Sequence, residues 1–133
     1  MTSANSFCAK IAPSLLSVMR IAIGILFTSH GGQKLLGYPP GGHKVEQLMT
    51  LMGLSAILEL GGGTLILIGF LTRPVAFILS GEMAVAYFMA HASQGLWPVQ
   101  NGGEMAVVYC FVFFYLAAAG AGPISVDALR KKG

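Results

Sequence analysis

Charge is what this chain has least of: only 10% of its 133 residues are Asp, Glu, Lys or Arg, while 55% are hydrophobic and the mean hydropathy is +0.73. A chain this short has too small an interior to hide that much apolar surface from water. Bilayer lipid is therefore the expected solvent, and the length suits three or four spanning helices of roughly 20 residues each, with no room for a separate soluble domain. Cysteine is scarce as well. Cys8 and Cys110 show no C-x-x-C spacing, and they are expected before the first helix and inside the last. A thiol relay of the kind that feeds quinones needs paired cysteines near one surface, so that enzyme class drops out. The basic residues are scattered except for Arg130, Lys131 and Lys132, which reads as a topology signal and gives no nucleic-acid footprint. The first apolar segment contains Arg20, lacks a small-x-small cleavage pattern and is followed by segments of similar weight. It is expected to be a retained helix, not a signal peptide.

What is present is four apolar stretches, over about 13–36, 45–71, 74–92 and 104–119. Each approaches the length that a tilted helix needs to cross a bilayer. The expected fold is an all-α integral membrane four-helix bundle, a single domain over 1–133. Gly and Pro punctuate the connections. Lys10, Arg73 and the terminal basic trio fall on one side, with Lys34 and Lys44 on the other, so the positive-inside rule puts both termini in the cytoplasm. Tyr38 and Trp97 then fit an outer interfacial belt. Ala86-x-x-x-Ala90 and Ala117-x-x-x-Ala121 have the spacing of close helix packing. In a short amphipathic tail over 124–133, Ser125 is the expected cap, with Asp127 in the first turn.

Arg20, Glu59 and Glu82 interrupt the apolar spans, where an ionised group costs roughly 2.5 to 3.5 kcal/mol. Counted from the cytoplasmic helix ends they fall at similar depth, which predicts one shared buried layer. Small and polar residues accompany each of them at helical spacing: Gly24, Phe27, Gly31 and Lys34 on the first helix; Met52, Ser55, Ala56, Gly62 and Gly63 on the second; Ala86, Met89 and Ser93 on the third. A guanidinium between two carboxylates would leave one negative charge or a shared proton. Such a layer is either a static staple that fixes helix register or a proton-handling, ligand-binding core.

A second polar layer, an outer mouth, gathers His30, Gln33, Lys34, His91, Asn101 and Glu104. Glu104 also opens a helix, where the dipole favours a carboxylate. His30, His91 and the methionines invite a metal, but His91 lies half a turn of the wheel away from Glu82, and no metal site is assigned. Gly31-Gly32-Gln33-Lys34 fails as a phosphate loop, having neither the G-x-x-x-x-G-K-[ST] order nor a preceding strand.

Taken in order, Arg20, His30-Gly31-Gly32-Gln33-Lys34-Leu35, Leu58-Glu59-Leu60-Gly61-Gly62-Gly63, Leu71-Thr72-Arg73-Pro74, Asn101-Gly102-Gly103-Glu104 and Ser125-Val126-Asp127-Ala128-Leu129 closely resemble the DoxX family of small four-helix bacterial inner-membrane proteins. The resemblance implies weight for Arg20, His30, Gly31, Lys34, Glu59, Gly62, Arg73, Glu82, His91 and Glu104 without fixing a catalytic role. It also implies an inner-membrane location and an association with redox or detoxifying partners. The family takes its name from a relative of a membrane subunit of a thiosulfate:quinone oxidoreductase. No flavin or haem motif accompanies these residues, so a complete enzyme is not expected. The leading expectation is an accessory subunit that binds a quinone or lipid-like ligand among Phe27, Met52, Met89, Phe111 and Tyr115 and serves a redox partner. A membrane scaffold and a small, oligomeric transporter are the competing readings.

Overall fold

The computed structural model describes residues 3–131; Lys132, the last of the basic trio, lies outside the described residues. Those residues form an all-helical chain with no strand among them. The first helix, α1, runs from Ser3 to Leu36. Pro13 therefore lies inside it instead of opening it, and Cys8 is helical. At 1.5 Å per residue, α1 is about 50 Å long, well beyond a hydrocarbon thickness of about 30 Å. Residues 3–10 are all exposed.

The second helix, α2, spans Leu51–Ile68 and contains a wider, π-type turn over Leu58–Gly62. Its start is set by Thr50, whose hydroxyl accepts the Gly53 N–H at 3.1 Å. The segment before it, expected to be helical from Val45, is instead a loop fastened to α1 by the Val45 N–H on the Lys34 carbonyl. A local cap has outweighed the apolar run. Gly69, at φ +69°, ends α2 in the left-handed region that glycine adopts without penalty. The third helix, α3, covers Thr72–Gln94, with another wide turn at Tyr87–His91. A short α4 (Pro98–Asn101) leads to α5 (Glu104–Ala119), and α6 (Val126–Arg130) closes the described chain.

Three helices, α1, α2 and α3, are long and apolar enough to cross a membrane, and α5 is a shorter apolar helix of 16 residues. The main packing pairs are α3 with α5 and α1 with α2. Glycine permits the second contact: a Cβ on Gly24 would lie 2.6 Å from the Leu67 Cα, and one on Gly31 would lie 2.6 Å from the Leu60 Cα. Small residues that bring backbones this close are how helices associate in lipid. Ser17, Arg20, Gly24, Phe27 and Gly31 form the buried face of α1. The core joins Phe27 to Ile66, Leu79, Met83, Tyr109, Phe113 and Leu116. The Phe27 ring meets Tyr109 and Phe113 edge-on, with centroids 5.2 and 4.8 Å apart.

α5 corrects part of the expected ligand lining. It turns Tyr109, Phe113 and Leu116 inward, so Phe111 (67% exposed) and Tyr115 (58%) face outward. The helix is apolar all round, so its sequence carries no periodic signal that could choose its inner face. Met89 on α3 is exposed too, because the wide turn at Tyr87–His91 directs Tyr87 inward. Phe27 is fully buried core. The outward aromatics and aliphatics belong to a surface suited to lipid.

Candidate functional site

Arg20, Glu59 and Glu82 do not form one layer. Arg20 is 1% exposed and is enclosed by backbone carbonyls. Its Nε donates to Ala121 O at 2.8 Å, Nη1 to Ile66 O and Leu67 O at 2.6 Å each, and Nη2 to Ile124 O at 2.5 Å. Carbonyls at the end of a helix lack the usual partners four residues on; the Gly69 N–H reaches Ile66 O at 3.1 Å, and the guanidinium fork adds donors to Ile66 O and Leu67 O. The depth count placed the helix ends level, but α2 stops at Ile68, so its last turn and the connection after α5 come to the height of Arg20. Glu59 lies about two turns farther along α2.

Other polar groups complete this end. Ser17 Oγ accepts the Ile124 N–H at 3.1 Å, and Arg73 Nη1 donates to the carbonyls of Ala117 and Ala118. Ser125 caps α6 by accepting the Ala128 N–H at 3.1 Å. Asp127 does more than favour its own helix: its two carboxylate oxygens accept the N–H groups of Leu71 and Thr72, each at 2.9 Å, and thereby cap α3. Burial pushes its carboxyl upward. The hydrogen bonds from Thr72 and Leu71, together with the nearby Arg130, outweigh that and hold it below its ordinary value. This cross-chain cap was not visible beforehand, because its partners are far apart in sequence.

Midway along α2, Glu59 is 4% exposed and pairs with Lys34, Nζ to Oε1 at 2.6 Å. Ser55, one helical turn before Glu59, donates to the same Oε1 at 3.0 Å and accepts from Lys34 Nζ at 3.2 Å. Gly31 lets α2 approach closely one turn before Lys34. The wide turn that carries Glu59 is of a kind found often at functional positions. Glu82 on α3 lies beside Ser55 and within electrostatic reach of Glu59 and Lys34. Both oxygens of Glu82 and Oε2 of Glu59 are buried without a hydrogen-bond partner. The structure thus brings Glu59 and Glu82 to one cluster around Ser55, pairs Glu59 with Lys34, the residue expected at the mouth, and separates both carboxyl groups from Arg20.

Lys34 also lines a cavity of about 590 Å³, together with His30, Gln33, His43, Lys44, Glu46 and Met52. Of the five expected ligand-lining residues, Met52 alone is here. The outer mouth divides in two. His30, Gln33 and Lys34 border the cavity, while His91 Nδ1 lies 3.1 Å from Asn101 O. Asn101 in turn donates to Gly95 O at 2.6 Å and to the Tyr87 hydroxyl at 3.2 Å, and accepts the Gly103 N–H at 2.8 Å. This second group clamps the connection between α3 and α5. Glu104 is exposed at the start of α5. His43 and Glu46 were missed in the sequence because nothing about a polar loop says which way it folds back.

A family model for DoxX matches residues 15–92. The chain is 38% identical over 125 residues to an uncharacterized protein of Haemophilus influenzae, an alignment covering 89% of this chain and 92% of that one. It is 33% identical over 124 residues to the inner membrane protein YqjF of Escherichia coli, covering 86% and 91%. No solved structure matches. The matched segment holds Arg20, Lys34, Glu59, Arg73 and Glu82, while the Ala121 and Ile124 carbonyls that Arg20 meets lie after it, and the chain belongs to the DoxX family.

Proposed function

We propose that this DoxX-family protein resides in the bacterial inner membrane, crosses it four times with both termini in the cytoplasm, and is an accessory subunit of a redox system. It binds the head of a quinone or similar amphipathic molecule in the cavity beside Lys34. The observation that carries this reading is the charge count behind the cavity. One ammonium, Lys34, pairs with Glu59, and the two buried carboxyl groups of Glu59 and Glu82 have three unpartnered oxygens between them. One cation balances one carboxylate, and in a low-dielectric interior the other group needs a proton or a further donor. Reduction of a quinone to a quinol takes up two electrons and two protons. A carboxyl group that holds a proton near an ammonium suits such a ligand, with the electrons coming from a redox partner. A volume of about 590 Å³ is within the range of small-molecule sites.

The inner-membrane location is supported by the name of the Escherichia coli relative and by the apolar helices. Docking along small-residue faces has less support, since Ala86 and Ala117 pack against the protein's own core. The test is thermal unfolding of the detergent-solubilised protein with short-chain quinones, combined with mass analysis of copurified lipids. Quinone should copurify and raise the melting temperature, and Lys34→Met should abolish the rise. Absence of copurified quinone together with an unchanged melting temperature refutes the reading.

A further inference from the structure

A second cleft, also about 590 Å³, opens at the Arg20 end between the start of α3, the connection after α5, and α6. Three of its lining residues are cationic: Arg73, Arg130 and Lys131. The acidic residue in the lining, Asp127, has both oxygens occupied by the N–H groups of Leu71 and Thr72. Arg73 uses Nη1 on the end of α5, while its Nε and Nη2 lie 3.4 Å from where a Cβ on Gly120 would be. Glycine at that position sets no side chain against this edge of the guanidinium, and both residues line the cleft. Arg130 is held over the Phe70 ring, 5.2 Å from its centroid. Exposed Leu71, Ile124 and Leu129 flank the basic residues.

We infer that this cleft binds the phosphate headgroup of an anionic phospholipid. A guanidinium edge presents paired donors that match phosphate oxygens, and further cations beside it add affinity for net negative charge. The cleft lies where α3 begins and α5 ends, so a bound headgroup sits at the bilayer boundary, with the flanking apolar side chains beside its acyl chains. A soluble phosphate makes no use of those side chains. This site is independent of the quinone reading, being built from different residues at the other end of α2.

The test is native mass spectrometry of the purified protein given equal phosphatidylglycerol and phosphatidylcholine, with soluble glycerol phosphate as competitor. Phosphatidylglycerol should be retained at least about tenfold over phosphatidylcholine, and soluble glycerol phosphate should not displace it. Each basic side chain near a membrane surface is worth about fivefold, so the double variant Arg130→Gln/Lys131→Gln should lower retention about 25-fold. The charge-preserving Arg130→Lys/Lys131→Arg should restore most of it. Equal retention of the two lipids, or unchanged retention by the Gln variant, overturns the inference. Full displacement by glycerol phosphate also overturns it, by assigning the cleft to a soluble anion.

Discussion

At one end of the molecule Arg20 meets four carbonyls from two segments, α2 and the connection after α5, while at the other Glu82, beside Ser55, keeps two buried oxygens without a hydrogen bond. Both groups are charged residues inserted in apolar sequence, yet they serve opposite ends. At the Arg20 end most polar groups close a helix terminus, as in Ser17 to Ile124, Asp127 to Leu71 and Thr72, and Arg73 to α5, and the buried Thr72 hydroxyl is the one left without a partner among them. Such an arrangement stabilises one geometry and leaves little for chemistry. The Lys34 end is short of donors and open to a cavity. Buried polar groups are normally paired, so an end that leaves carboxyl oxygens unpaired is where a ligand or a proton has something to complete.

The largest way to break this comparison is Arg20→Ala. It removes the donor from carbonyls of α2 and of the connection after α5 at once, and a cost of about 3–5 kcal/mol is expected. Loss of folded yield, or a steep fall in melting temperature in detergent, is the readout. Arg20→Lys should recover only a minor part, because an ammonium has no planar fork. If Arg20→Ala unfolds no more easily than Glu59→Gln, the Arg20 end is not the structural one.

Next in size is Gly31→Ala, which forces α1 and α2 apart against the Leu60 backbone and should cost about 1–3 kcal/mol. It also pulls Lys34 away from Glu59. Gly61 faces open space, with nothing within 4 Å of the position a Cβ would take, so Gly61→Ala is expected to be neutral or to stabilise by about 0.5 kcal/mol. Thermal unfolding of the two variants separates close helix contact from general glycine effects. A smaller effect belongs to Glu82→Gln, which removes a carboxyl that has no partner to lose. Its stability should stay within about 1 kcal/mol of the parent, while the response to quinone disappears. A large destabilisation would show that Glu82 is structural and that the two ends are alike.

How much of this was legible in the sequence follows from the range of each interaction. The Arg20 to Lys34 stripe on α1 was visible because helical periodicity is a local property. The limits of α5 at Glu104 and Ala119 were marked by neighbouring glycines. Depth was not legible. It depends on how long helices slide past one another, and α1 begins well before its first proline. The facing of Phe111, Tyr115 and Met89 failed for a related reason: a uniformly apolar helix and a wide turn each erase the wheel. Glu59 and Glu82 were expected to meet across Arg20, but Lys34 is the cation paired with Glu59, and Glu82 lies beside Ser55. Nothing in the spacing alone could choose between those partners.

The mildest test concerns Asp127, whose role at the Arg20 end is confined to a cap. Leu71 sits at φ +50°, a conformation that a non-glycine residue adopts at some cost, and its N–H is fixed by the Asp127 carboxylate. Asp127→Asn keeps one acceptor oxygen of two, so one of the two N–H groups loses its partner, at a cost of about 1 kcal/mol. The effect should depend on pH in a definite direction. Because the folded carboxyl lies below its ordinary value of 3.8, ionised Asp127 contributes its full stability above that value. The contribution fades as pH falls through the lowered folded value. The gap in melting temperature between the parent and Asp127→Asn should therefore be constant near neutral pH and close only in strong acid. A gap that closes near neutral pH would place the proton on another group, and the cap would not be what holds α6 against the start of α3.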